Sequence, residues 1–392
     1  MRRLSQLAPV LMLAAALAAC SSLPDMPSLN PVDWFSAGPT GPKPSELPVL
    51  SNPQGVKTLW TASIGASEAF VFTPALSGDS VYVASRSGTV ARLDAASGQA
   101  KWRIQVGKRL SGGVGSDGAL AVVATDEGEV FALDAQTGAT RWRARVSSEV
   151  LAPPKLADEL VLVRSADSRI FAFSAADGKR RWVYQRAAAS LIVRSPVGLS
   201  VAQGMAYAGF SGGKLAAISL GNGSLRWEAT VAQPKGATEL ERVTDIVGEP
   251  AVLGREVCSA AYQGRVACYD VNNGNQVWSR EISTLTGVSF DARYAFVSDD
   301  KGAVHALDRN NGRSIWKQDR LAYRQLSLPL PLGTEVAAGD LQGFVHFMAR
   351  ESGAFLARAA TDGSPIRAAP LKLPGGFLVQ TQLGGLYALT LN

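Results

Sequence analysis

Short runs in which apolar and polar residues alternate follow one another along most of this chain, separated by turn residues. In the segment 79–106, such runs cover residues 80–84, 89–94 and 99–106, with Ser-Gly and Ala-Ser-Gly turns between them. The stretch FVFTPAL just before them supplies a fourth run. Alternation with a period of two is typical of half-buried β-strands. The pattern therefore predicts four short strands in a unit of about 40 residues.

The unit repeats along the chain with the frame G-x-[VIL]-x-A-[LF]-D-x-x-x-G-x-x-x-W. It begins at eight positions, which are Gly88, Gly128, Ser168, Gly213, Gly264, Gly302, Gly343 and Gly384. The eighth unit stops at Asn392 before reaching a Trp, whereas Trp60 in GVKTLW stands alone ahead of the first unit. Repeats of this length and strand content indicate the blades of a β-propeller. The sequence thus predicts an all-β, eight-bladed β-propeller with four-stranded blades, whose last blade is closed by the N-terminal strand.

The most regular part of the unit is D-x-x-x-G-x-x-x-W, and its acidic residue invites a catalytic interpretation. Asp94, Asp134, Asp270 and Asp308 all occupy that position. In a tight turn the Asp can accept backbone N–H groups, the Gly can take a positive φ, and the Trp can fill the space between blades. Because catalysis at these residues would require a separate site in each copy, we interpret the segment as a building unit.

The first residues are typical of a bacterial export signal. Arg2 and Arg3 precede the apolar stretch LAPVLMLAAALAA, which is too short to span a bilayer comfortably. The following LAAC resembles the lipobox, at which bacterial lipoproteins are cleaved and acylated on the new N-terminal cysteine. We therefore predict a lipoprotein signal peptide at 1–19 and lipidation of Cys20. An ordinary export signal with a chance cysteine is the alternative.

A proline-rich segment separates this signal from the repeats. Eight prolines lie between residues 21 and 53. Because proline donates no backbone hydrogen bond and favours extended conformations, the segment predicts a tether rather than a folded element. The expected organisation is a lipidated tether at 20–53 and the propeller at 54–392. Trp34 and Phe35 in the tether either dock on the propeller or stay exposed.

The charge of the chain argues against nucleic acid as a partner. The formal net charge is +6, and loss of Arg2 and Arg3 with the signal leaves about +4 (6 − 2). Binding to a phosphate backbone requires a clustered basic patch, whereas Lys and Arg are spread through the whole sequence. A hydrophobic content of 46% is enough for a large core.

Two cysteines remain besides the lipidation site. Cys258 and Cys268 flank a Gln263-Gly264 turn, so they would lie nearly opposite each other on a hairpin. In an oxidising compartment this placement favours a disulfide. The alternative is a pair of small buried hydrophobic side chains.

Two glycine motifs match enzyme signatures, but their surroundings do not. GVGSDG at 113–118 fits the G-x-G-x-x-G of dinucleotide sites, yet a strand follows where such a site needs a helix. GFSGG at 209–213 fits the nucleophile elbow, yet Ser211 falls at a hairpin turn and no helix follows. Neither motif therefore predicts a catalytic site.

The two histidines of the chain, His305 and His346, occupy the same position of their units. Other units have Ala, Phe or Tyr at that position, which indicates a packing position. No cluster of cysteines or carboxylates accompanies the histidines, so we predict no metal site and no cofactor.

Two departures from the repeat flank the fourth blade. The step between the fourth and fifth units is 51 residues long and carries the charged insertion VAQPKGATELERVTDIVGEP. The connection between the third and fourth blades carries SLIVR at 190–194, for which an innermost strand that begins early is the alternative. Connections of this kind display residues on a face of a propeller. The two departures could therefore form one surface.

These features together resemble the BamB family, the lipoprotein subunits of the outer-membrane β-barrel assembly machinery. The resemblance covers essentially the whole chain after the tether, and it rests on the lipobox, the tryptophan repeats, SLIVR and ELERVTDI. In that family the stretch between the third and fourth blades binds the POTRA domains of BamA, and it corresponds to Leu191, Val193 and Arg194 here. A nearby acidic position of the family matches Asp245, whereas a second one is Val247 in this sequence.

The resemblance implies a non-enzymatic scaffold on the periplasmic face of the outer membrane, anchored by lipid on Cys20. It implies BamA as partner and unfolded β-barrel proteins as clients, which would bind by β-augmentation. Pyrroloquinoline quinone (PQQ) dehydrogenases share the tryptophan repeat, but they are usually longer and need calcium ligands beside a catalytic Asp. A periplasmic propeller that binds a glycan or a PQQ-like cofactor in its central channel is the alternative function.

Overall fold

The computed structural model describes residues 42–187 and 191–392, and every regular element in these ranges is a β-strand. The strands form eight sheets of four antiparallel strands each. No helix in these ranges is long and apolar enough to cross a membrane. The predicted signal peptide, Cys20 and Trp34 lie outside the described residues.

The first strand of the chain and blades one to four have the following bounds. They are β1 (Val56–Ser63); in blade one, β2 (Ala75–Ser77), β3 (Ser80–Ala84), β4 (Thr89–Asp94) and β5 (Ala100–Gln105); in blade two, β6 (Leu110–Ser116), β7 (Leu120–Thr125), β8 (Glu129–Asp134) and β9 (Thr140–Arg145); in blade three, β10 (Lys155–Ala157), β11 (Leu160–Ser165), β12 (Arg169–Ser174) and β13 (Arg180–Gln185); and in blade four, β14 (Leu199–Ala202), β15 (Met205–Phe210), β16 (Lys214–Ser219) and β17 (Leu225–Thr230).

Blades five to eight continue the same order. They are, in blade five, β18 (Ile246–Leu253), β19 (Glu256–Ala261), β20 (Val266–Asp270) and β21 (Gln276–Arg280); in blade six, β22 (Ser289–Phe290), β23 (Tyr294–Ser298), β24 (Val304–Asp308) and β25 (Ser314–Gln318); in blade seven, β26 (Leu330–Leu332), β27 (Glu335–Gly339), β28 (Phe344–Ala349) and β29 (Phe355–Ala360); and in blade eight, β30 (Leu371–Leu373), β31 (Gly376–Gln380) and β32 (Gly385–Leu391).

The blades close into a ring. The first strands of successive blades contact one another all the way round, and β30 of blade eight contacts β2 of blade one. The fourth strand of blade eight is β1, which pairs antiparallel with β32 from Val56 opposite Leu391 to Ser63 opposite Gly385. The predicted eight-bladed propeller and its closure by the N-terminal strand are confirmed. Closure pairs one edge of β32 that would otherwise be free.

Tryptophans of the outer strands join seven of the eight blades to the next blade. The indole Nε1 of Trp142 in blade two donates to the carbonyl oxygen of Ala175 in blade three at 2.8 Å. The same ring lies against Gly178, where an added Cβ would come within 2.7 Å of the indole. Seven blades have this Trp, and blade seven has the buried Ala357 in its place. The repeated Gly and Trp are therefore two halves of one contact between blades.

The repeated Asp organises the turn between the third and fourth strands. In blade two, Asp134 Oδ1 accepts the backbone N–H groups of Gln136 at 3.0 Å and Thr137 at 2.8 Å, and Oδ2 accepts the Arg141 guanidinium. The hydrogen bonds from Arg141 and Thr137 lower the pKa of Asp134 to about 2. Both oxygens of the carboxylate thus accept hydrogen bonds from residues 136–141, next to Asp134 in sequence, which agrees with its interpretation as part of a building unit.

The antiparallel order of the strands defines two faces of the ring. Turns between second and third strands lie at the same end of the blades as the connections to the next blade, and we call this end the connection face. Turns between first and second strands, and between third and fourth strands, lie at the opposite end, the turn face. The departures from the repeat are both on the connection face.

Residues 45–54, which we call the strap, lie against blade seven. At one end the N–H of Ser45 donates to the carbonyl oxygen of Ala322 at 2.9 Å, in the connection that leads into this blade. At the other end the N–H of Gln54 donates to the carbonyl oxygen of Leu356 in β29, also at 2.9 Å. The predicted tether includes most of these residues, and the structure places them on the propeller. The strap therefore begins at the connection face, at Ser45.

Candidate functional site

The connection between blades three and four places apolar side chains in solvent. Leu191 and Ile192 are 41% and 38% exposed, whereas Val193 is half-buried. Most large apolar side chains of this propeller are buried between blades, so two adjacent exposed ones are informative. Sequence comparison with the BamB pattern selects Leu191, Val193 and Arg194, and the structure adds Ile192 to the exposed surface.

Asp245 lies beneath this connection and holds it in place. Its Oδ2 accepts the backbone N–H of Val193 at 2.6 Å, and its Oδ1 accepts the N–H of Gly212 at 3.2 Å. The residue is only 5% exposed. Asp245 therefore joins the connection to the hairpin turn of blade four, and both carboxylate oxygens face the protein interior rather than solvent.

Arg194 is fixed by two residues from other connections. Its Nη2 and Nε donate to the two carboxylate oxygens of Glu149 at 2.8 and 3.3 Å. Its guanidinium also lies 5.1 Å from the ring centre of Phe70. The hydrogen bond with Glu149 raises the pKa of Arg194. Both partners are distant in sequence and belong to no motif, so sequence reasoning misses them.

A half-buried cation lies behind the same surface. Arg164 of β11 donates to the carbonyl oxygen of Gly209 and lies 5.0 Å from the ring centre of Phe210. Burial lowers the pKa of Arg164 to about 10, and the nearby charge of Asp245 opposes that shift. Asp245 thus faces a cation on its inner side.

The connection face has further exposed apolar side chains near the insertion and around the ring. They are Leu240 in the insertion, Leu285, Tyr323 and Leu383. The backbone N–H groups of Ala237 and Thr238 both donate to the carboxylate of Glu241, which lowers its pKa. The charged insertion therefore contains a hydrogen-bonded turn, in which the side chain of Leu240 is exposed to solvent.

The turn face carries a different feature, a groove of about 710 Å³. It spans blades two to four and is lined by charged side chains of both signs, among them Asp117, Glu159, Arg141 and Arg181. Within the two described ranges, no group of three or more His, Cys, Asp or Glu residues could hold a metal ion. The groove lies on the face opposite the connection site.

The repeat position of the two histidines suggests simple packing residues, but the structure shows that each one forms a polar pair. His305 Nε2 lies 2.8 Å from Asp299 Oδ2, and His346 Nε2 lies 2.9 Å from Asp340 Oδ2. Each Asp belongs to the turn before the strand of its His, so the aromatic position is used for a polar pair in these two blades. Sequence comparison between repeats shows the position but not this partner.

Cys258 and Cys268 lie directly opposite each other on β19 and β20, with their Cα atoms 4.0 Å apart. The structure joins them by a disulfide, and both residues are fully buried. We propose that this bond is present in the exported protein. The mass of the unreduced chain, compared before and after thiol alkylation, tests the proposal.

Comparisons with known proteins agree with this architecture. A family model described as outer membrane protein assembly factor BamB matches residues 46–110 and 86–318. The chain belongs to the BamB family. A BamB of Bordetella pertussis is 41% identical over 366 residues, which cover 93% of this chain and 95% of that protein. A BamB of Pseudomonas aeruginosa is 44% identical, with 89% and 93% covered.

Solved structures give the same result for the fold. The crystal structure of BamB from Moraxella catarrhalis superposes with a TM-score of 0.79 at 26% identity, over 86% of this chain and 100% of that chain. A quinohemoprotein alcohol dehydrogenase from Comamonas testosteroni superposes with a TM-score of 0.66 at 13% identity, over 85% of this chain and 76% of that one. The likeness to the dehydrogenase shows a shared propeller fold alone.

Proposed function

We propose that this chain is a non-enzymatic scaffold of the outer-membrane β-barrel assembly complex and binds the POTRA domains of BamA. Membership of the BamB family, whose relatives are named outer membrane protein assembly factors, supports the role. The exposed pair Leu191 and Ile192 on the connection face supports the location of the contact. Its effect would be to hold BamA in an orientation that favours insertion of barrel proteins.

The apolar pair would supply the apolar part of the binding free energy at this site. Burying a fully exposed Leu or Ile side chain contributes roughly 1.5–3 kcal/mol, so Leu191 and Ile192, which are 41% and 38% exposed, would each contribute roughly 0.6–1.2 kcal/mol. The pair needs little ordering on binding, because the backbone next to it is already fixed by Asp245. A connection that is rigid before binding loses less conformational entropy, which favours affinity.

One charged residue of this surface would contact the partner directly, and two others would hold the surface in place. Arg194 is half-exposed and can donate to a partner, whereas Asp245 is buried and Glu149 holds Arg194 in place. The second acidic position of the family is the buried Val247. We therefore assign Asp245 to positioning of the connection, and Arg194 to direct contact.

The proposed location is the periplasmic side of the outer membrane, with a lipid anchor on Cys20. The lipobox resemblance and the outer-membrane names of the relatives support it. Several acyl chains on one cysteine would give an essentially permanent anchor, since each buried CH₂ contributes about 0.8 kcal/mol. Metabolic labelling with a radioactive fatty acid, compared between wild type and Cys20→Ala, tests this anchor.

Co-purification of BamA with the full chain is the experiment that tests the scaffold role. The variant combines Leu191→Ala, Ile192→Ala and Arg194→Ala on the connection face. Because truncating a central interface residue costs about 2 kcal/mol or more, the expected loss of BamA affinity is at least about a hundredfold.

A matched control changes two exposed leucines and one arginine on the opposite face. It combines Leu225→Ala, Leu253→Ala and Arg255→Ala, all beside turns of the turn face and all exposed. This control should retain BamA. Equal loss in both variants would contradict the proposed site, and no BamA with wild type would contradict the proposed partner. Binding of PQQ or a glycan to the purified chain would then be measured.

A further inference from the structure

The outer strands of blades one to three share an unusual charge. They are β5, β9 and β13, which together have seven basic residues and no acidic one. The basic residues, which we call the basic band, are Lys101, Arg103, Arg141, Arg143, Arg145, Arg180 and Arg181. The chain as a whole has a net charge of +6, so everything outside these 18 residues sums to −1 (6 − 7). Positive charge is therefore concentrated on the outer strands of these three blades, which have no acidic residue to offset it.

All seven residues of the basic band are exposed, although the side chain of Lys101 itself is 28% exposed. Some have internal partners at the turn face, where Lys101 pairs with Asp79 at 2.7 Å and Arg141 pairs with Asp134. Arg145, Arg180 and Arg181 have no hydrogen-bond or ion-pair partner among the described residues. These three arginines are available to an external anion.

Protection of a free sheet edge does not account for the basic band. Every blade has an exposed outer strand, and Lys or Arg on an edge strand prevents pairing with other chains. Protection would therefore distribute the charge evenly. The five other outer strands have five basic residues and one acidic residue between them. The outer strands of blades one to three have more than twice as many basic residues per strand, so this concentration of charge needs another explanation.

We propose that the basic band binds the anionic headgroups of a phospholipid membrane. The inference rests on the membrane location proposed above, which holds the chain near such a surface. Three neighbouring strands of six residues each present their charges over about 20 Å in the strand direction, which suits an extended surface rather than a pocket. Anionic headgroups supply the complementary charge over that whole area.

The predicted tether is long enough for this contact. At about 3.1 Å per residue, the 25 residues from Cys20 to Pro44 would reach about 80 Å if they were extended. A compact body of 349 residues has a radius of gyration of about 20 Å, which corresponds to a diameter of about 50 Å. The lipid anchor therefore leaves any side of the ring free to meet the membrane, and the basic band would select which side does.

The mature chain with Cys20→Ala, which cannot be lipidated, allows the contact to be measured on its own. Its binding to phosphatidylglycerol-containing vesicles is compared with binding to phosphatidylcholine vesicles by flotation. We expect binding to the anionic vesicles alone, weakening as salt is added, because salt screens exposed charges.

The test variant combines Arg145→Glu, Arg180→Glu and Arg181→Glu. Each basic residue at an anionic bilayer strengthens binding roughly fivefold, so the expected loss is on the order of a hundredfold or more. The control combines Lys57→Glu, Arg226→Glu and Lys317→Glu, which change the net charge equally on the outer strands of blades eight, four and six. It should weaken binding much less. Thermal unfolding shows whether both variants are folded.

Three outcomes would overturn the proposal. One is no preference for anionic vesicles, and another is equal weakening by the two variants. The third is unchanged vesicle binding by the test variant together with loss of BamA in co-purification, which would assign the basic band to a protein partner. Retention of BamA by a test variant that no longer binds vesicles would separate this contact from the scaffold role.

Discussion

Single residues in this protein combine a backbone requirement with a contact between blades. Gly178 has a φ of +72°, which only glycine adopts without strain, and it lies under the indole of Trp142. Asp245 also serves two purposes, because its one carboxylate fixes two separate segments through the N–H groups of Val193 and Gly212. A residue can thus be essential to a surface without being exposed on it.

The two requirements at Gly178 can be measured separately. Gly204 also has a φ of +72°, but an added Cβ would meet nothing within 4 Å there. We expect Gly204→Ala to destabilise the protein by about 1 kcal/mol through the backbone alone. Gly178→Ala should lower the free energy of unfolding by about 2 kcal/mol more than Gly204→Ala does, because the Trp142 ring must move. Urea unfolding measures both values, and equal costs would contradict the packing role.

At the scale of elements, the strap shows how a segment without regular structure is held. Arg324 donates to the carbonyl oxygen of Ser45 at 2.8 Å, and Arg358 donates to that of Pro48 at 2.9 Å. Arg324 also pairs with the fully buried Asp340 at 2.7 Å. The strap crosses the blade whose outer strand has Ala357 instead of Trp. Charged side chains of blade seven therefore fix the start of the propeller.

His346 makes this attachment sensitive to pH. Its Nε2 faces Asp340, and its Nδ1 accepts Arg358 Nε at 3.4 Å, so the ring is neutral with the proton on Nε2. Burial lowers the pKa of His346 below its usual 6.5. A histidine whose folded-state pKa is lowered stabilises the fold above pH 6.5, and that stability is lost as the pH falls through the lowered pKa. Protonation adds a positive charge beside two arginines.

We therefore expect the strap to loosen as the pH falls below 6.5. Hydrogen exchange of the strap amides, corrected for the intrinsic pH dependence of exchange, measures this. His346→Asn should remove the pH response, because asparagine does not titrate. His305→Asn is the matched control and should keep the response, since His305 pairs with Asp299 in blade six. A pH response that survives in His346→Asn would show that another group is responsible.

The whole molecule depends on closure of its ring. The N-terminal strand β1 supplies the outer strand of blade eight, and Trp60 on it joins that blade to blade one through the carbonyl oxygen of Ala95 at 3.0 Å. Without this strand, one edge of β32 and one side of blade one would be exposed. The same ring brings the connections of distant blades together, as with Arg194 and Phe70.

Two truncated chains test the contribution of closure. A chain that begins at Pro44 keeps the strap and β1, and we expect it to unfold at nearly the wild-type temperature. A chain that begins at Ile64 loses Trp60 and the pairing with β32, so it should lose at least about 3–5 kcal/mol. It should also self-associate through the exposed edge. Thermal unfolding and size-exclusion chromatography give both results, and equal stability of the two chains would contradict the role of closure.

The sequence by itself determined the number of blades, their closure and the structural use of the repeated Asp, Gly and Trp. The blades and their turns are encoded within single units, where the period of the apolar positions and the turn residues act over a few residues. Closure is indicated by the unmatched Trp60 and by the eighth unit, which lacks a Trp. The sequence also indicated the SLIVR connection, through its departure from the repeat and its resemblance to the BamB family.

Only the tertiary structure decided which residues support that connection and where the charge lies. Asp245 meets Val193 across 52 residues, Glu149 meets Arg194 across 45, and Arg358 meets Pro48 across 310. Such pairs depend on which blades the ring brings together, and no local pattern records them. The basic band has the same origin, because residues that are spread along the sequence become neighbours when the outer strands of consecutive blades align.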